Sequence, residues 1–251
     1  MSASRRLVRA LGSVSAFLAL AGAQVAAAQG PMDPDNPTCP QNPNWSNNRE
    51  MRFSVQEVNG RQVLLAEGAI DENLVPRLEA AIQGFQGDEM WLRSPGGDAR
   101  VGNRAARIIR DNGLITRIPA GWACFSACNS LFMGGVARFI DPGGLFIVHM
   151  FTHTADRDAI RSEVAQGVDN TASYIGAIEQ SSAQLASEDN DLLIRMGISR
   201  DLLTNVMYQV SAVADDENRT TRRCLTLEEA SLYNVTTRIL SQTAAAPTDS
   251  K

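Results

Sequence analysis

From Met51 almost to the C-terminus, apolar runs of strand length alternate with amphipathic runs of helix length, and few architectures accommodate that order. "MRFSVQEV" and "RQVLLAEGAI" flank Asn59-Gly60, a pair suited to the positive-φ turn of a two-residue hairpin. Leu74, Leu78, Ala81, Ile82 and Phe85 then recur at helical spacing. "EMWLRS" reads as a strand that stops at "PGGD", "VGNRAARIIRDNG" as a helix closed by Gly113, and "LITRIPA" as the next strand. The stretch "GWACFSACNSLFMGG", residues 121–135, is expected to be helical, and "GLFIVHMF" to be a strand. Ile160, Val164, Val168, Ala172, Ile175 and Ile178 mark a long helix, and "SRDLLTNVMYQV" and "TLEEASLYNV" are expected to be helices as well. Alternation of this kind predicts an α/β fold, layered, with a largely parallel sheet and flanking helices.

The ends stand apart from that domain, which is expected over 51–240. Arg5, Arg6 and Arg9 precede the short apolar run Leu11 to Leu20, and Ala26-Ala27-Ala28 offers a small-residue cleavage site. Residues 1–28 therefore read as a secretory signal peptide, with the run too short for a spanning helix. Arg5-Arg6 also hints at twin-arginine export, but Val8 and Arg9 fit that pattern poorly, so ordinary secretion is favoured. The expected location is periplasmic or secreted. Residues 29–50 carry prolines at 31, 34, 37, 40 and 43, a stride of three that suits an extended polyproline linker with the prolines on one face. The tail, 241–251, is expected to be disordered.

Removing the signal peptide takes the formal charge from -5 to -8, which argues against nucleic acid as a partner. Four cysteines, Cys39, Cys124, Cys128 and Cys224, are an even number in an exported chain and favour disulfides. With two histidines and no CxxC pair, zinc-ligand spacing is absent, so no metal and no cofactor are expected.

Three features fall at the carboxyl ends of successive strands, where open α/β sheets place their ligands. Ser94-Pro95-Gly96-Gly97-Asp98 is a glycine turn whose backbone N–H groups can face an oxyanion. Ser126 lies near an expected helix start, where a serine is either an N-cap or a nucleophile. His149 ends a strand on the same sheet edge, whereas His153 falls in a polar loop. Together Ser126, His149 and the glycine turn make a nucleophile, a base and an oxyanion donor.

At these residues a family resemblance emerges. "LRSPGGDARVG", "GWACFSACNSLFMGG", "LFIVHM" and "CLTLEEASLYNVTTRIL", in that order, resemble the Clp protease proteolytic subunit within the ClpP/crotonase fold, over roughly residues 50 to 241. The resemblance implies serine peptidase chemistry, with Ser126 as nucleophile, His149 as general base, and the N–H groups of Gly97 and Ala127 as the oxyanion hole. It also implies a third member a few residues before the closing box, where Asp216 or Asn218 would orient His149. The alternative is an empty slot in a catalytically inactive binding or structural protein of the same fold. The C-x-S-x-C box resembles exported relatives of the Clp peptidase rather than the cytosolic enzyme. Residues four apart on one helix hold their Cβ atoms roughly 6 Å apart, too far for a disulfide, so a Cys124–Cys128 bridge needs Cys124 to precede the helix. That pairing, with Cys39–Cys224, is favoured among the three connectivities.

Rival chemistries are harder to place. Lys251 is the sole lysine, which excludes a Ser/Lys pair. A coenzyme A thioester enzyme would not need Ser126, and an oxidising compartment would keep Cys124 and Cys128 from acting as thiolates. The chain lacks a phosphate-binding loop and an exported protein has no nucleotide supply, so no ATPase partner is expected. The expected substrate is a peptide or an unfolded protein segment, and a homo-oligomer fits the family.

Overall fold

The computed structural model describes residues 30–154, 156–213 and 221–237. The segments expected to be a signal peptide and a tail, together with Asp216 and Asn218, lie outside the described residues. Along the chain run β1 (Arg52–Val58), β2 (Arg61–Glu67), α1 (Leu74–Gln83), β3 (Glu89–Arg93), α2 (Ala99–Asp111), β4 (Ile115–Ile118) and β5 (Ala123–Phe125). There follow α3 (Cys128–Gly134), β6 (Arg138–Ile140), β7 (Leu145–His149), α4 (Arg157–Ala165), α5 (Val168–Met196), α6 (Asp201–Asn205), β8 (Arg222–Cys224) and α7 (Leu227–Leu232).

Asn59 and Gly60 both take positive φ, and the turn sets Val58 opposite Arg61 in an antiparallel β1–β2 pair. From β2 onward the pairings β2–β3, β3–β4 and β4–β6 are parallel, giving a five-stranded sheet in the order β1-β2-β3-β4-β6. A second sheet has the order β5-β7-β8, with β5–β7 parallel and β7–β8 antiparallel. The fold is thus mixed α/β, with mostly parallel strands flanked by helices. Leu64, Met90, Leu92, Ile109, Phe132 and Phe146 are fully buried between the sheets and their helices. Burying each such side chain contributes about 1.5–3 kcal/mol.

The two sheets are stitched where the site lies. Ser94, just past β3, receives the Phe125 N–H on its carbonyl and donates its own N–H to Ala123. Residues 121–135 therefore do not form the single expected helix. Backbone pairing to Ser94 and to β7 holds Ala123–Phe125 extended, Ser126 turns the chain at φ +57°, and only then does α3 begin. The expected long helix is likewise two, broken at Gly167 with φ +105°. Its apolar stripe stays largely uncovered, with Val164, Val168 and Ile175 each at least 50% exposed, because the buried residues of α5 begin only at Leu185.

Residues 30–50 are not an extended linker. The Asp33 N–H donates to the Cys39 carbonyl and the Gln41 N–H to Pro31, so the chain doubles back on itself. Pro40 and Pro43 are buried while Pro31, Pro34 and Pro37 are exposed, so the prolines do not share one face. The Cys39–Cys224 disulfide draws this arm onto β8 and overrides the polyproline preference.

Candidate active site

Ser126 stands between a strand and a helix, in a backbone conformation that non-glycine residues seldom adopt, and strain of this kind clusters at functional sites. The turn is held from three sides. The Ser126 N–H donates to the Ile147 carbonyl, and Asn129, the second residue of α3, donates its Nδ2 to the same carbonyl at 2.7 Å. The Cys124–Cys128 disulfide closes a ring around Phe125, Ser126 and Ala127, with both cysteines fully buried. Cys124 sits on β5, before the helix, which is how a four-residue separation is bridged at a Cα–Cα distance of 5.3 Å.

His149 ends β7, next to β5. Its Nε2 lies 2.6 Å from Ser126 Oγ. Burial pulls the imidazole down to about 4, opposed by the Met150 backbone, so at neutral pH Nε2 is an acceptor and the serine hydroxyl donates to it. The proton then sits on Nδ1, which is buried and has no hydrogen-bond partner among the described residues. The β7–β8 register sets Arg222 opposite His149, and the Met150 N–H donates to the Thr221 carbonyl beside it.

The glycine turn reaches the serine from β3. Ser94 Oγ accepts the Gly96 N–H at 3.0 Å and fixes the turn's entry. Ile70 accepts from Asp98 and donates to Gly96, which leaves the Gly97 N–H facing away from that pairing. Neither the Gly97 N–H nor the Ala127 N–H is donated to a protein acceptor among the described residues. The Asp98 carboxylate caps α2 by accepting the Val101 N–H at 2.9 Å, ending the turn in a fixed direction.

Beside Ser126 and His149 opens a cavity of about 70 Å³, walled by Met133, Phe146, Leu192, Leu203 and Met207. Asp189 is the carboxylate on its wall. Asn103 Nδ2 donates to it at 3.1 Å, and burial raises its affinity for a proton. The structure thus brings Ser126, His149, Ala127 and the Gly96–Gly97 turn together and joins both cysteine pairs, while Asp216 and Asn218 fall outside the described residues. His153 lies apart, edge-on to Phe151. Sequence reasoning missed Asn129, Phe125 and the α5 wall. Asn129 was findable three residues after the serine, at helical spacing, whereas the α5 contacts are long-range and leave no local signal.

Among solved structures, a ClpP1 mutant from Listeria monocytogenes is similar at a TM-score of 0.43 and 14% identity, covering 69% of this chain and 88% of that one. No protein-family model matches the chain, and no curated protein matches it.

Proposed function

We propose that this chain is an exported, ATP-independent serine peptidase acting on peptides or unfolded segments. The observation that carries the reading is the 2.6 Å contact between Ser126 Oγ and His149 Nε2, made at a strained strand–turn–helix junction. In this reading Oγ attacks the scissile carbonyl carbon as His149 takes its proton. The Gly97 and Ala127 N–H groups receive the oxyanion, and His149 passes the proton to the leaving amine. Water then repeats the sequence on the acyl-enzyme. The small apolar cavity supports a short apolar side chain beside the scissile bond.

Asp216 is the residue proposed to accept the Nδ1–H, with Asn218 as its neutral alternative. Support comes from the register, since the segment holding both residues leads into the strand opposite His149. That Nδ1 has no hydrogen-bond partner among the described residues favours the rival reading, a binding protein of this fold without turnover. Export to the periplasm or beyond rests on the N-terminal pattern of residues 1–28. A homo-oligomer is in keeping with the uncovered stripe of α4 and α5.

The test is hydrolysis of unfolded casein and short fluorogenic peptides by the mature protein without nucleotide. Cleavage abolished by Ser126→Ala supports the enzyme. Peptide binding without cleavage, unchanged in Ser126→Ala, supports the binding protein.

A further inference from the structure

The three-stranded sheet has two different faces, and the imidazole belongs to the less expected one. Alternation along β7 sends Phe146 and Val148 into the main core and Leu145 and Ile147 to the opposite side, with His149 next in that second series. Ala123 and Phe125 of β5 and Cys224 of β8 lie on the same side. What covers them is the N-terminal arm. Cys39 is bonded to Cys224, Asn36 Nδ2 donates to the Arg222 carbonyl at 2.7 Å, and the Ala123 N–H donates to the Asn44 carbonyl at 3.0 Å.

The arm ends in a ring stack. Trp45 lies on Phe125 with centroids 5.5 Å apart and planes at 21°. Phe125 in turn lies against His149, centroids 4.8 Å apart and planes at 47°. The Arg222 guanidinium sits 5.7 Å from the centre of the Trp45 ring, and Arg222, the cross-strand partner of His149, shares the histidine's face of the sheet. Among the described residues, the imidazole makes a hydrogen bond with Ser126 Oγ and a ring contact with Phe125, and its Nδ1 makes no hydrogen bond. One contact is to the nucleophile itself. The other is a tilted ring–ring contact.

We propose that Phe125 and Trp45 are positioning residues for the Ser126–His149 pair, so that the disulfide-pinned N-terminal arm is a working part of the site and not a tether. The proposal rests on the reading of His149 as the base, but its geometry does not require turnover. Phe125 holds the imidazole plane aligned with Oγ and keeps water from that face. Trp45 backs Phe125, and Cys39–Cys224 holds Trp45 in place.

The test follows the His149 titration by NMR in the mature protein on a His153→Gln background, which leaves one imidazole. Phe125→Leu keeps apolar bulk but removes the ring, Trp45→Ala removes the backing, and Trp45→Phe restores a ring there. The expected result is a midpoint raised by about one unit or more in Phe125→Leu and Trp45→Ala, tenfold in proton affinity, with Trp45→Phe close to wild type. Midpoints unchanged in Phe125→Leu and in whichever Trp45 variant folds would overturn the proposal and leave the arm a structural cover. Because the titration needs no catalysis, it reads the same way if Ser126 proves not to be a nucleophile.

Discussion

Gly96 lies against Ser126 so closely that a Cβ on the glycine would come within 2.7 Å of the serine Cβ and 2.6 Å of the Phe125 carbonyl oxygen. The glycine turn and the Ser126 turn therefore form one packed unit, and the φ of +86° at Gly96 adds a second reason for glycine there. Gly96→Ala should cost about 1–3 kcal/mol of stability through overpacking and displace Ser126 and the Ala127 N–H. Acylation of Ser126 is expected to slow at least about tenfold, the loss from one misplaced oxyanion donor being 10²–10³-fold at most. Gly84→Ala, where the nearest atom to the added Cβ is 3.9 Å away, is the matched control and should change neither quantity. Denaturant melts and labelling rates on the two variants check this.

The two disulfides have different tasks. Cys39–Cys224 closes a loop with a sequence separation of 185, and its removal from the unfolded ensemble corresponds to about 5 kcal/mol. Cys124–Cys128, with a separation of 4, constrains the unfolded chain by only about 2 kcal/mol, so its larger effect falls on the geometry of the turn it encloses. Cys39→Ser with Cys224→Ser should lower the denaturation midpoint most. Cys124→Ser with Cys128→Ser should slow Ser126 acylation about tenfold with a smaller loss of stability. Equal acylation rates with and without the Cys124–Cys128 bridge would remove its role in shaping the oxyanion site.

Asp216→Ala should slow acylation by about 10²–10⁴-fold if its carboxylate accepts the Nδ1–H, and an unchanged rate would reassign that role. In that variant burial dominates, opposed in part by the Met150 backbone, and the His149 pKa stands at about 4 against an ordinary 6.5. A depressed histidine leaves the native state with fewer bound protons than the unfolded one between those values, so stability rises with pH there. As pH falls from about 6.5 through about 4, the protein should lose up to about 3 kcal/mol, and His149→Gln in the same background should abolish that loss. Urea melts at pH 7 and pH 4.5 on the paired variants measure the difference.

Much of the site was legible because its chemistry is local. The hairpin follows from Asn59-Gly60, the turn beside Ser126 from two adjacent glycines after a strand, and the imidazole at the site from one histidine at a strand end. The short β5 was not legible. Ala123–Phe125 sits inside an apolar stretch whose composition suits a helix equally well, and only its pairing with Ser94 and Ile147 makes it extended. The arm was misread for a related reason. Proline spacing is a local preference, whereas the disulfide that folds the arm joins residues 39 and 224. The stack of Trp45 on Phe125 on His149 joins three separate segments, a relationship that spacing in one chain does not encode.

The central claim is that Ser126 is a nucleophile activated by His149. A fluorophosphonate probe on the mature protein at pH 7, followed by peptide mapping, tests it most directly. The account predicts a single adduct on Ser126, absent in Ser126→Ala and formed at least about a hundredfold more slowly in His149→Ala. No adduct on the wild-type protein, under oxidising and reducing conditions alike, would contradict it.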